Sequence, residues 1–206
     1  MSPYYRFIGY SAAFPLLIKT QFPEITVAIA FLGPLVGSLS RPLGGLLADK
    51  VGGAIVTFWN FIAMGAATIG VMYFVEVKEF AGFLAMFLVL FVTTGIGNGS
   101  TYRMIPSIFR EENLKKVKGS GDEGRAIAFK VAGIESGAAL GFIGAIGACG
   151  GYLIPRGFGA SIAATGGPNL ALEIFLAFYV TCVALTWRYY LRNRQRGARS
   201  LAEARV

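Results

Sequence analysis

The 206-residue chain is 55% hydrophobic, with a mean hydropathy of +0.61 and 15% charged residues, which excludes an ordinary soluble domain and calls for membrane-spanning segments. It has no histidine and two cysteines, so histidine-based metal or acid–base chemistry is excluded, and no metal or cofactor is expected. The net charge of +8 would suit nucleic acid, but its placement argues otherwise. Six cations fall in 110–130 (Arg110, Lys115, Lys116, Lys118, Arg125, Lys130) and six arginines run from Arg188 to Arg205. The opposite connections, near 20–25, 76–80 and 154–168, carry only Lys19, Lys78 and Arg156. Short-loop bias of this kind sets orientation, so the charge is topological and no nucleic-acid partner is expected.

Apolar runs predict an all-α membrane protein with six transmembrane helices, at about 5–20, 25–47, 53–75, 80–104, 126–154 and 168–190. The segment 105–125 is then a cytoplasmic loop and 191–206 a cytoplasmic basic tail. Both termini face the cytoplasm, and the chain is a multi-pass protein of the inner (plasma) membrane with the lipid bilayer as partner. The first run is short and has Arg6 near its start. It lacks an A-x-A-like exit and runs into Lys19 and Glu24, so it does not read as a cleavable signal peptide.

The second run carries a cation at lipid depth. At 1.5 Å per residue, Arg41 lies about 12 Å along a helix from Asp49 and about 25 Å from Glu24. Against a hydrocarbon core of about 30 Å it cannot comfortably snorkel to either surface, and burial there costs about 2.5–3.5 kcal/mol or more. A cation kept at that depth faces a water-filled cavity or a partner, which makes an anion site the default hypothesis. Gly33 and Gly37 form a small-xxx-small pair for close helix approach, or ordinary transmembrane packing. Pro34 and Pro42 each remove a backbone donor, which predicts a bend around Arg41. The run ends in Gly45-Leu46-Leu47-Ala48-Asp49-Lys50-Val51-Gly52, where Asp49 can cap the next helix or pair with a cation on a neighbouring helix end. This G-x-L-x-D-K-x-G pattern resembles the motif that major facilitator superfamily transporters carry between paired helices on the cytoplasmic side. The resemblance implies a conformational latch formed by Gly45, Asp49, Lys50 and Gly52.

The fourth run closes with Gly95-Ile96-Gly97-Asn98-Gly99-Ser100-Thr101-Tyr102-Arg103. Consecutive polar side chains in a membrane segment need partners, and alternate glycines remove bulk beside them. That pattern fits the wall of a permeation path with Asn98 and Ser100 facing it, or a helix end with Arg103 snorkelling to the cytoplasm. It follows no strand and lacks the Lys-Ser/Thr ending of a phosphate-binding loop. In the fifth run, spacing of four and three puts Gly137, Gly141, Gly144, Ala148 and Gly151 on one face. Such a smooth stripe lets another backbone pack closely or slide. Glu135, near the start of this run, is a candidate proton-coupling group or an interfacial acid. Cys149 and Cys182 fall inside predicted spans and read as small packing residues.

Together FLGPLVGSLSRPLGGLLADKVGG (31–53), TGIGNGSTYRMIPSIF (94–109), AALGFIGAIGACGGYLIPRGFG (138–159) and SAAFPLLIKTQFP (11–23) resemble the nitrate/nitrite porter family of the major facilitator superfamily. The third stretch resembles the family's second nitrate signature, in the eleventh helix. The resemblance covers nearly the whole chain and implies that the six spans match helices seven to twelve, forming one half of the superfamily fold. It further implies that Arg41 is the binding arginine of the eighth helix and that Gly141, Gly144 and Gly147 border the substrate, which is nitrate or nitrite. Guanidinium chemistry agrees, since a planar fork matches a flat, delocalised oxyanion as an ammonium cannot. Phe142 and Tyr152 can stack on the anion or gate it, though core packing accounts for both.

The family's first six helices, with their own binding arginine, have no counterpart in the chain. Before Phe7 it reads MSPYYR, where the family continues an apolar span. The resemblance therefore implies a missing or separately encoded N-terminal six-helix half. The function expected is nitrate/nitrite transport, by exchange or by proton-coupled uptake. Two other readings stand beside it: a carrier half for another small anion, and a non-transporting membrane fragment or subunit. An enzyme is not expected, because no nucleophile–base pair, metal-ligand spacing or nucleotide cradle is present.

Overall fold

A computed structural model describes residues 4–117 and 121–188, with side chains from Ala13 onward. Among these residues the chain folds into six α-helices: α1 (Tyr4–Gln21), α2 (Leu32–Val51), α3 (Gly53–Glu76), α4 (Phe80–Lys116), α5 (Gly121–Thr165) and α6 (Asn169–Thr186). A short 3-10 turn, Val27–Phe31, leads directly into α2. Five spans are long and apolar enough to cross a membrane: α3, α4, α5, α6, and α2 taken together with its leading turn. The chain is an all-α, multi-pass membrane protein. The sixth helix, α1, has 18 residues, as many as α6, and Ala13, Phe14, Leu17 and Ile18 on it are completely covered.

The core is aromatic and centres on α1 and the first half of α4. Phe14 stacks on Phe87 with ring centroids 4.5 Å apart and meets Phe91 edge-on at 5.7 Å, while Phe22 and Phe83 extend the cluster. Such pairs add about 0.5–1.5 kcal/mol each beyond simple burial. Around this core α2 packs on α4, α4 also contacts α3 and α5, α1 lies along α5, and α6 lies along α3.

Three sequence expectations about local structure change. The segment 105–125 is not a loop: α4 continues through Pro106 to Lys116, and α5 begins at Gly121. The continuation is held by packing on α5. Asn113 Nδ2 donates to Glu135 Oε2 at 2.6 Å and to the Phe109 carbonyl at 3.0 Å, and the Arg110 guanidinium lies 4.5 Å over the Phe129 ring. These contacts offset the one hydrogen bond Pro106 removes. Likewise α5 runs past 154, through Pro155, to Thr165. With 37 and 45 residues, α4 and α5 are about 55 and 67 Å long, well beyond a hydrocarbon core of about 30 Å. Finally, Pro34 sits in the first turn of α2, where no intrahelical donor is lost, so only Pro42 interrupts the ladder near Arg41. The basic tail 191–206 lies outside the described residues.

Glycine sets the closest approach in the fold, and it does so between α2 and α4. A β-carbon on Gly44 would fall on the carbonyl of Ile96; one on Gly95 would fall on the Gly37 carbonyl and the Ser40 hydroxyl. One on Gly99 would fall on the Arg41 carbonyl. By contrast, among the described residues nothing lies within 4 Å of a β-carbon built on Gly137, Gly141 or Gly144. Against the described side chains the α5 stripe is open, and 6% of the most apolar window of α5 is buried.

This contrast predicts opposite responses to one added methyl. Gly44→Ala or Gly99→Ala should destabilise the helix pair by about 1–3 kcal/mol, because backbone must move to admit it. Gly141→Ala should be neutral or stabilising by up to about 1 kcal/mol, from helix propensity alone. Unfolding of the purified chain in detergent, followed by circular dichroism, checks both directions.

Candidate functional site

The buried line of α2 is Gly33, Gly37, Ser40, Gly44 and Ala48, all facing inward, whereas Leu35, Leu39, Leu43 and Leu46 form an exposed line on the other side. At 100° per residue Arg41 is about 60° from the centre of the buried line, so it emerges beside α4 rather than into the leucine face. It is half-buried. Because the Arg41 carbonyl abuts Gly99, Arg41 and Asn98 sit at the same level of the α2–α4 pair.

Asn98 is 3% exposed, and its Oδ1 accepts no hydrogen bond among the described residues. An uncommitted buried amide oxygen is costly unless a donor engages it; as an acceptor it cannot bond an anion, and only the Nδ2 end of Asn98 could donate to one. Ser100 is fully covered, and its hydroxyl donates to the Gly97 carbonyl at 3.1 Å. It shares a face of α4 with Met104, which meets Gly53 of α3. The structure thus brings Arg41 and Asn98 to one level and buries Ser100 with its hydroxyl bonded to its own helix. On α5, Gly141 and Gly144 border open space whereas Gly147 is buried, so these three glycines do not share one face.

At the motif that ends α2, Asp49 takes the second of its two expected roles. Arg103 Nε donates to Asp49 Oδ1 at 3.1 Å and its second guanidinium nitrogen meets Oδ2 at 3.0 Å, a two-pronged pair that ties the end of α2 to α4. Gly52 closes the corner. With φ at 97° it joins α2 to α3 without a linker, in a conformation that L side chains rarely adopt, and its N–H donates to the Ala48 carbonyl at 2.9 Å. Nothing lies within 4 Å of a β-carbon built on Gly45, and Lys50 is exposed.

Sequence reasoning missed the groups gathered between α4 and α5. Tyr102, Arg103, Pro106, Ser107, Arg110, Phe129, Ala132, Gly133 and Ser136 line a cavity of about 440 Å³ there. The signal was present, since Arg103, Ser107 and Arg110 recur at four and three residues, but it is legible only if 105–116 is helical.

Several transporters are similar to this chain. It is 45% identical over 194 residues to the nitrate/nitrite transporter NarU of Escherichia coli (strain K12), a match covering 91% of this chain and 41% of that protein. The chain belongs to the nitrate/nitrite porter family. NarU of Salmonella typhimurium is 46% identical over the same shares. The probable nitrate/nitrite antiporter NarK2 of Thermus thermophilus is 31% identical, over 91% of this chain and 39% of its own length. The chain thus spans about two fifths of the curated family members it matches. No family model matches the chain.

The Asp49–Arg103 pair should contribute little to stability despite its geometry. The two side chains are 25% and 53% exposed, and exposed pairs give under about 1 kcal/mol. A double-mutant cycle of Asp49→Asn with Arg103→Gln in denaturant should return a coupling below that figure, and one well above it would mean that the pair holds the fold together.

Proposed function

We propose that this chain provides one half of a nitrate/nitrite carrier, with Arg41 as its anion-binding group. The observation that carries the reading is a guanidinium half-buried in an apolar span, level with the buried amide of Asn98, in a chain 45% identical to a nitrate/nitrite transporter. A planar guanidinium presents two parallel donors to a trigonal oxyanion, and low dielectric around it strengthens the attraction. Burial of the arginine and dehydration of the anion offset one another when the two meet. The Nδ2 of Asn98 is the end that donates a neutral hydrogen bond to the anion, and Gly141 and Gly144 keep the α5 side of the path free of bulk. Gly147 supports α5 from its buried side, and Ser100 acts indirectly, buried with its hydroxyl bonded to its own helix.

In this reading the open face of α5 and the leucine face of α2 await another six-helix unit, encoded upstream or separately, that supplies the opposing wall. Substrate held between two rocking halves is the general plan of such carriers. The Asp49–Arg103 pair, with Gly45, Lys50 and Gly52, forms the latch that opens as the halves rock. Both termini lie on the cytoplasmic side of the inner membrane, following the Lys/Arg asymmetry.

Nitrate uptake into vesicles tests the proposal. The chain alone should give no uptake, and co-expression with an N-terminal six-helix half should restore it. In the completed carrier Arg41→Lys should lower nitrate affinity at least tenfold, about 1.4 kcal/mol, because an ammonium loses the fork geometry. Unchanged nitrate binding in Arg41→Lys would remove Arg41 from the site, and competition by chloride or formate as strong as by nitrite would point to another anion.

A further inference from the structure

The cavity between α4 and α5 has a charge pattern of its own. Of its nine lining residues two are arginines, Arg103 and Arg110, three carry hydroxyls, and none is acidic. About 20 helical residues cross the hydrocarbon core, so counting along α4 from Phe80 puts Arg103 about 5 Å beyond it, at headgroup depth, and Arg110 about 15 Å beyond it on the water side. From the geometry we propose that this cavity is an oxyanion site, taking a phosphate carried by an anionic lipid headgroup or by a free inorganic anion.

Each wall has a chemical part in this. Arg110 is fixed over the Phe129 ring, 4.5 Å from its centroid, which holds the guanidinium plane in place and leaves its edge for a ligand. Arg103 has five N–H donors, and the Asp49 carboxylate engages two nitrogens, so Arg103 can bridge Asp49 and an anion. The hydroxyls of Ser107 and Ser136 donate to the carbonyls of Arg103 and Gly133, each at 3.2 Å, and a rotation turns either toward the cavity. Pro106, Ala132 and Gly133 keep the rest of the wall apolar. At about 440 Å³ the space exceeds a phosphate several-fold, with waters occupying about 30 Å³ each, so a headgroup with its glycerol can enter. Because the Asp49 carboxylate shares the Arg103 guanidinium and repels a second anion held there, occupancy of this site and the α2–α4 ion pair are coupled with opposite sign. The inference depends neither on Arg41 nor on nitrate.

The test uses the purified 206-residue chain, with phosphatidylglycerol and phosphatidylcholine retention measured by native mass spectrometry in the presence and absence of millimolar inorganic phosphate. Arg110→Ala should lower phosphatidylglycerol retention about tenfold, with Arg110→Lys between it and the parent. Asp49→Asn should raise retention several-fold, a gain that misfolding cannot produce. Lys115→Ala, a cation paired with Glu111 outside the cavity, should leave it unchanged. Displacement of the lipid by inorganic phosphate would identify a free anion as the ligand, and persistence of the lipid would identify the headgroup; either result supports the site. Parental retention in Arg110→Ala, an equal loss in Lys115→Ala, or weakened retention in Asp49→Asn would overturn it.

Discussion

Backbone-to-backbone contact between α2 and α4 is the constraint on which the remaining structure depends. Gly37, Ser40, Arg41 and Gly44 on one side meet Gly95, Ile96 and Gly99 on the other with no room for a β-carbon at Gly44, Gly95 or Gly99. In a bilayer, where lipid tails are as apolar as leucine, close van der Waals packing of this kind is what holds helices together. It also decides where functional groups stand. Because Gly99 lies against the Arg41 carbonyl, the cation of α2 and the amide of α4 share one level. Because the two helices run so close, Asp49 at the end of one reaches Arg103 on the other.

Smooth helix surfaces serve two different ends in this molecule. On α4, Gly95 and Gly99 are met by a neighbouring backbone, whereas Gly137, Gly141 and Gly144 of α5 have nothing opposite them among the described residues. Glycine inside a helix costs about 1 kcal/mol relative to alanine, so an open stripe of it calls for a compensating role. Admitting a second six-helix unit that approaches and recedes, as proposed above, is such a role. The extended ends of α4 and α5 that pack on each other add a second region of interest. There Arg103 belongs both to the ion pair with Asp49 and to the α4–α5 cavity, joining the two physically.

Much of the candidate site was legible residue by residue. Arg41 stands out because charge within lipid depth is expensive whatever the tertiary arrangement, and Asp49 stands out because its motif sits at a turn between two apolar runs. The extent of α4 and α5 was not legible. Pro106 and the surrounding charges signal a helix end locally, yet Asn113 and Arg110 bind partners on α5, 22 and 19 residues further along, and the helix continues. Ser100 was equally ambiguous, since a serine among alternate glycines does not reveal in sequence that its hydroxyl is buried and bonded to the Gly97 carbonyl. The glycine spacing of α5 marks a face but does not say that Gly137, Gly141 and Gly144 meet none of the described side chains.

By itself the sequence determined an all-α membrane protein, its approximate spans, its charge asymmetry and a cation placed within an apolar span. Those properties follow from hydropathy, from the cost of buried charge and from local motif chemistry, all of which act within a few residues. Tertiary structure alone decided which glycines touch, that Asp49 pairs with Arg103, that Ser100 faces inward, and that Arg103 and Arg110 share a cavity. Each of these is a relation between helices. In a membrane the register of one helix against another is set by shape and close packing, which no single segment encodes.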